Sequence, residues 1–380
     1  MAEPIDDLDR LVSELDAARP GGRGGGGKLD AWLHVVADRA ASDLLLVAGE
    51  PPALRINGRI ERTDGAPLDG EDIEDMVVPD LPPHAQRAFR EHGIADAARR
   101  LAGVGRFRIN VHRERGRAAA IIRMLPRKIP TLASLELPSG TDLLTRLSRG
   151  LVLIGGATGS GKTTTLAAIV DDINRRDPKH IITIEDPIEY EHSNQRSVIQ
   201  QIEIGIDAPD FPTALRSALR QAPDVIVVGE MRDPETMKIA LAAGETGHLV
   251  LSTLHTTDVP STIARMTDSF PAERQPTIRQ EIAASLSAVF VQMLLPRVGG
   301  GRIPAAELLM VQYGARQHIR RNTLHHLHQE ITISRKQGSF TLEEGLARQV
   351  KAGLIERSEA TLRANHAEDF ELAMNDLGGR

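Results

Sequence analysis

The stretch Gly156-Ala157-Thr158-Gly159-Ser160-Gly161-Lys162-Thr163 constrains this chain more than any other, because it fills G-x-x-x-x-G-K-[ST] at every fixed position. The apolar run Leu151-Val152-Leu153-Ile154 before it reads as a buried strand, and Thr164 to Val170 after it continues as a helix. Strand, glycine loop and helix in that order predict a phosphate site. The loop wraps closely enough to aim backbone N–H groups at phosphate oxygens, and the helix N-terminus adds a favourable dipole. In such a site the loop through Thr164 holds the nucleotide, Lys162 reaches the β- and γ-phosphates, and the Thr163 hydroxyl holds Mg2+.

A phosphate loop does not by itself say that the nucleotide is cleaved. Hydrolysis needs a group that orients or deprotonates water and a further acid near the metal. Two strand ends supply acids. Glu185, Asp186, Glu189 and Glu191 follow the apolar run Ile181–Ile184, with Pro187 breaking the strand, and Glu230 ends Asp224-Val225-Ile226-Val227-Val228-Gly229 in a Walker B pattern. Both fall at the carboxyl edge expected of an open α/β sheet, where ligands sit. His248 and His255 bracket the strand Leu249–Leu254; His255, with Thr256 and Thr257, lies beyond it on the same edge, whereas His248 fits a structural role equally well.

The remaining chain gives the organisation. At 380 residues it is long for one core and suggests two domains. Residues 1–28, with six glycines between Gly21 and Gly27, read as a disordered leader; 29–130 as a small α+β domain; 131–148 as a linker marked by Pro126 and Pro130; 149–366 as an α/β domain with C-terminal helices; and 367–380 as a tail. Apolar strands alternating with helical stretches in the larger domain predict a parallel sheet covered on both faces. Cysteine is absent, which excludes disulfides and cysteine zinc sites, and the net charge of −6 gives no global bias toward nucleic acid. Aromatic residues for base stacking are scarce, which weighs against direct nucleic-acid binding. The stretch Ile282–Leu295 is interrupted by Ser285, Ser287 and Gln292 and is too short to span a bilayer. A cytoplasmic protein that meets membranes only through partners is the expectation. Arg106, Arg108, Arg113, Arg115, Arg117 and Arg123 crowd one hairpin of the first domain, as plain surface charge, as a nucleic-acid patch, or as arginines that reach a γ-phosphate across an interface.

Four motifs in order resemble the secretion ATPase superfamily, and within it the PilT-like type IV pilus retraction ATPases. They are the loop Gly156–Thr163, the acidic box Thr183–Glu189, the segment Gly229-Glu230-Met231-Arg232-Asp233, and the histidine box from Gly247-His248-Leu249 to Leu254-His255-Thr256-Thr257. Ala41-Ser42-Asp43-Leu44, Gly105–Asn110 and Phe270-Pro271-Ala272-Glu273 are similar to the same subfamily. The resemblance implies a PAS-like N-terminal domain joined to a RecA-like ATPase domain, a homohexamer, and ATP with Mg2+ bound between domains and neighbours. It further implies that Glu189 is the general base, that Glu230 and, partly through water, Glu185 belong to the Mg2+ shell, and that His255 senses the γ-phosphate. Arg108, Arg115 and Arg123 would act from the other domain or subunit. An inner-membrane pilus platform protein would be the partner at the inner face of the plasma membrane. No four-cysteine zinc insertion of the kind usual in extension-type ATPases is present, which favours retraction.

The chain departs from the family pattern at Leu45, where histidine is common, and in its glycine-rich leader. The retraction-linked Ala-Ile-Arg-Asn-Leu-Ile-Arg-Glu motif stands here as Gly314-Ala315-Arg316-Gln317-His318-Ile319-Arg320-Arg321. Arg316 and Arg320 are four apart, hence on one face of a helix, and are the candidates for coupling hydrolysis to work. The alternatives are a PilU-like accessory motor or related secretion ATPase, a nucleotide-binding regulator without turnover, and a DNA-translocating motor. The intact acids speak against the regulator, and the charge and few aromatics against the DNA motor.

Overall fold

The computed structural model describes residues 26–56 and 58–376, and the chain divides into two compact units after Arg127. Residues 1–25 of the expected leader lie outside the described residues. The leader's last glycines already belong to helix α1 (Gly26–Asp38), which buries Leu29, Leu33 and Val36 on one face.

The first unit is α+β. Strands β1 (Asp43–Leu46), β2 (Ala53–Ile56), β3 (Arg59–Arg62), β4 (Ile94–Leu101), β5 (Gly105–Glu114) and β6 (Arg117–Met124) form one antiparallel sheet in the order β3-β2-β1-β6-β5-β4. Along β5 the period of two is plain: Phe107, Ile109 and Val111 point into the core while the residues between them stay partly exposed. Two helices, α2 (Gly70–Val77) and α3 (Pro83–His92), lie between β3 and β4, kept apart by Pro79, Pro82 and Pro83, which interrupt the helical stretch. Strand β4 was not expected. Its alanines, Ala95 and Ala97, alternate inward but carry weak strand propensity, so the pattern is faint in the sequence.

The second unit holds a seven-stranded sheet in the order β13-β12-β7-β11-β10-β8-β9. Its elements are β7 (Gly150–Gly155), α4 (Lys162–Arg176), β8 (His180–Glu185), β9 (Val198–Glu203), α5 (Phe211–Ala218), β10 (Val225–Val228), α6 (Pro234–Glu245), β11 (Leu249–Leu254), α7 (Val259–Asp268), α8 (Gln275–Ser285), β12 (Leu286–Pro296) and β13 (Arg302–Met310). All ladders are parallel except that of β12 with β13, which the turn at Gly299-Gly300-Gly301 joins as a hairpin. Strands β7, β10 and β11 are buried along their whole length, as a parallel sheet covered on both faces requires. Helices α9 (Tyr313–Arg321), α10 (Leu327–Ile333), α11 (Leu342–Lys351), α12 (Arg357–Arg363) and α13 (Ala367–Asp376) complete the unit.

Two stretches differ from expectation. Residues 131–148, read as a linker, belong to the second unit: they form two 3-10 turns, and Leu144 is fully buried among Val152, Ile169 and Ile173. Residues 367–376, read as a tail, are helix α13, whose Phe370 is buried with Leu295, Leu346 and Ile355. Burying a side chain of that size stabilises by roughly 1.5–3 kcal/mol, enough to hold a short terminal helix.

One buried carboxylate ties the hairpin to the helices. Glu307 on β13 accepts from the Val259 N–H at 2.7 Å, at the start of α7. Burial, with Glu343 and Asp258 nearby, pushes its pKa up to about 8 against the opposing effect of that hydrogen bond. The folded protein therefore keeps a proton here that the unfolded chain releases near the ordinary glutamate value. The contribution to stability is complete below that value and is lost as pH rises toward 8. We predict that Glu307→Gln, which keeps an acceptor for Val259, flattens the decline in melting temperature between pH 5 and 8. A variant that tracks the wild-type profile across that window would refute it.

Candidate functional site

The parallel register brings four strand ends to one edge. Leu254 of β11 pairs with Gly155 of β7, and Val228 of β10 pairs with both Ser252 of β11 and Ile184 of β8. The glycine loop, His255, Glu230 and the acids from Glu185 onward therefore leave the sheet side by side. Side chains of β11 secure the end of β10: Ser252 donates to the Val228 carbonyl at 2.7 Å and Thr253 to the Gly229 carbonyl at 2.6 Å.

The glycine loop is shaped by close approach. At Gly156 (φ 153°) a Cβ would lie 2.3 Å from Ser160 Oγ and 2.6 Å from the Gln292 carbonyl, so no other residue fits. Gln292, buried on β12, clamps the loop from beneath, donating to the Ser160 carbonyl at 2.6 Å and accepting from Thr165 Oγ1 at 2.7 Å. Helix α4 starts from Gly161 in the left-handed region with no side-chain cap, whereas α5, α6 and α7 are capped by Asp210, Asp233 and Asp258. Its first-turn N–H groups are thus left for a ligand, and Ser160 Oγ is buried beside them without a hydrogen-bond partner. Both features fit an anion such as a nucleotide phosphate.

The charged side chains connect across the strand ends. Lys162 Nζ donates to the carbonyls of Gly156 (2.7 Å) and Ala157 (3.0 Å) and lies 3.4 Å from His255 Nδ1. His255 Nε2 is 3.3 Å from Glu230 Oε1, and Glu230 Oε2 is 2.8 Å from Arg232. His255 thus presents one ring nitrogen to Lys162 and the other to Glu230, bridging the two. Burial lowers the Lys162 pKa, opposed by the charges of Glu230 and Glu189. Burial would raise that of Glu230, but the Arg232 hydrogen bond, with His255 and Lys162, holds it below the usual carboxylate range.

The loop after β8 is fixed at both ends. Glu185 accepts from Thr183 Oγ1 (2.7 Å) and Gln201 Nε2 (3.1 Å), and burial raises its pKa despite these bonds. The Tyr190 hydroxyl, buried, meets Thr164 Oγ1 at 3.0 Å and ties the loop to α4. Glu189 lies between these anchors, half-buried and within electrostatic reach of Lys162. Gln292, Tyr190 and Gln201 carry this site's geometry and were not singled out from the sequence. Gln292 had a signal, as a polar residue inside an apolar strand, while the other two had none.

Other sequence candidates lie elsewhere. His248 is at the opposite end of β11, with Nδ1 3.2 Å from the Ala243 carbonyl near the end of α6, a structural contact. In the first unit, Arg123 pairs with buried Asp43 at 2.8 Å, Arg108 with Asp96 at 3.4 Å, and Arg115 stands at an exposed hairpin tip 3.8 Å from Glu114. Arg316 donates to the carbonyls of Ala283 and Ala284, closing the end of α8, while Arg320 is half-buried on the same helix.

Comparison with known proteins gives consistent relatives. Residues 120–302 match the Type II/IV secretion system protein family. The chain is 40% identical over 338 residues to the type IV pilus retraction ATPase PilT of Pseudomonas aeruginosa, covering 89% of this chain and 98% of that protein. It is 37% identical over 346 residues to the type IV pilus ATPase PilU of the same organism, covering 91% of each. Among solved structures, the pilus retraction motor PilT with bound ADP superposes with a TM-score of 0.82 at 40% identity, covering 90% of this chain and 98% of that one. The Legionella pneumophila ATPase DotB gives 0.79 at 26% identity, with 90% and 97% covered.

Gln292 offers a test of how the loop is held. Gln292→Leu leaves the Ser160 carbonyl and the Thr165 hydroxyl without their partner, and a buried polar group so orphaned costs about 1–3 kcal/mol. The expected outcome is a loss of that size in denaturant unfolding together with weaker ADP binding. Unchanged stability and affinity would remove Gln292 from the site.

Proposed function

Because the chain belongs to the PilT-like secretion ATPases, we propose that it is an ATP-hydrolysing motor that powers type IV pilus retraction. The observation that carries the chemistry is the connected set Lys162, His255, Glu230 and Arg232, standing beside the Glu189 loop at one sheet edge. Lys162 and the free N–H groups of α4 bind the phosphates. Thr163 and Glu230, with Glu185 through water, would hold Mg2+, which when bound would neutralise charge on the phosphate oxygens. Glu189 accepts the proton of the attacking water. His255, bridging Lys162 and Glu230, is placed to respond when a γ-phosphate draws Lys162 away from it.

The same reading takes the protein as a cytoplasmic homohexamer, docked on a membrane platform protein at the inner face of the plasma membrane. Its first unit is the PAS-like domain, and Arg108, Arg115 and Arg123 act toward a neighbour's nucleotide. Arg115, the most exposed of the three, is the least committed, since its contact with Glu114 is 3.8 Å whereas Arg108 and Arg123 hold closer acidic partners on their own sheet. A coupling role falls more naturally to Arg320 than to Arg316, which is committed to the end of α8. The relationship to PilU and the altered stretch Gly314–Arg321 support an accessory retraction motor as the second reading.

ATP affinity measured beside turnover tests the assignment of the acids. Glu189→Gln should bind ATP and lose turnover by about 10²-fold or more, the scale for a general base. Glu185→Gln should chiefly weaken Mg2+-dependent binding or stability. If Glu189→Gln hydrolyses nearly normally while Glu185→Gln binds without turnover, the roles are exchanged. In cells, deletion should leave surface pili and abolish twitching, and Arg320→Glu should do the same while purified protein retains turnover. Twitching that survives deletion would favour the accessory reading.

A further inference from the structure

The C-terminal helices carry a group of side chains with no part in the nucleotide site. His328 lies on α10, His366 immediately precedes α13, and Asp369 occupies the first turn of α13. One ligand atom from each lies within 4.8 Å of the other two. His328 Nε2 is 2.7 Å from Asp369 Oδ2, and the His328 and His366 rings lie 3.8 Å apart, tilted by 33°.

The turn that presents His366 and Asp369 is anchored. Glu343, buried on α11, accepts from the N–H groups of Asn365 (3.1 Å) and His366 (3.0 Å), and Phe370 in the following position is buried. Two of the three donors therefore stand on backbone held in place before any ligand arrives.

A hydrogen bond accounts for His328 and Asp369, but not for His366, whose ring is laid against that of His328. If both imidazoles were protonated they would repel across that contact. Neutral, they offer two nitrogen donors beside a carboxylate. That N2O set suits Zn2+, Co2+ and Ni2+, whereas Mg2+ and Ca2+ prefer oxygen alone. With metal–nitrogen bonds of about 2.0–2.1 Å, tetrahedral ligands sit about 3.3 Å apart. The 2.7 Å contact would open slightly and the longest separation close by no more than about 1.5 Å, a movement open to His366 because it is exposed.

We propose that His328, His366 and Asp369 bind a divalent transition cation of the Zn2+, Co2+ or Ni2+ class, with water completing its shell, and that the cation fastens α13 to α10. This site is separate from the nucleotide chemistry, so its failure would leave the ATPase reading untouched.

The test is titration of the full-length protein with Co2+ in excess Mg-ADP, which keeps the nucleotide site occupied. The expected result is saturable binding of one Co2+ per chain, with visible absorption of a four- or five-coordinate ion and a raised melting temperature. His366→Ala and Asp369→Asn should each weaken binding at least about tenfold while retaining wild-type far-ultraviolet circular dichroism. His325→Ala is the control, because His318, His325 and His326 form a second group of stacked rings nearby, with centroids 4.9 Å and 4.1 Å apart. Absence of saturable binding, wild-type affinity in both ligand variants, or a loss that follows His325→Ala would overturn the site. Binding without a rise in melting temperature would overturn the fastening of α13.

Discussion

The nucleotide loop depends on one close approach. Because Gly156 has no side chain, Ser160 and the backbone of β12 come nearer than any Cβ would permit. That proximity lets Gln292 donate to the Ser160 carbonyl and accept from Thr165, so the loop is held from a neighbouring strand. A phosphate loop need not be stiff in order to bind, but it must present its N–H groups together. Here the side-chain amide of a neighbouring strand supplies the constraint that the loop's own glycines cannot.

Parallel pairing then does for the acids what Gln292 does for the loop. Four adjacent strands end in register, so groups far apart in sequence emerge side by side, and Ser252 and Thr253 of β11 then secure the end of β10. Their charges compensate. Lys162 is desolvated, which disfavours its charge, yet Glu230 and Glu189 oppose that loss, and Glu230 is in turn held ionised by Arg232, His255 and Lys162. Glu185 lacks a comparable cation and is raised instead. The two acids that flank the site therefore differ in character: one is a standing anion, and the other a hydrogen-bonded post that fixes the loop bearing Glu189.

What the sequence made legible follows the strength of each physical signal. Continuous apolar runs announced β7, β10 and β11, and the fixed spacing of the glycine loop announced its helix, since both are local properties. Strand β4, built on alanine, and edge strand β9, with its paired glutamines Gln200 and Gln201, lack an apolar pattern and were passed over. The stretch 131–148 looked like a linker because prolines mark it, but the burial of Leu144 depends on a surface created by residues far along the chain. The same holds for α13, which is short and polar and is stabilised through Phe370 by Leu295, Leu346 and Ile355, residues outside the helix itself. The roles of Gln292 and Tyr190 have the complementary origin: each works through a partner remote in sequence, Thr165 and Thr164 respectively, so even the polar signal of Gln292 inside its apolar strand does not name its partner.

Buried carboxylates extend the site's geometry into the C-terminal helices. Three residues past His255, Asp258 caps α7 through the Ser261 N–H, and Glu307 accepts from the next amide, that of Val259. Glu307 belongs to β13, whose Pro304 carbonyl accepts from Gln349 of α11; from the same helix Glu343 holds the entry to α13. Each link is a hydrogen bond between named groups, so displacement of the His255 loop has a contiguous route outward. Contiguity is not coupling, which requires an element with two arrangements that both ends can bias. Glu307 has the chemistry for that: its proton is held near neutrality, and a carboxyl group that keeps its proton can donate as well as accept. A change at α7 that alters the burial of this one group changes which of those roles it can fill.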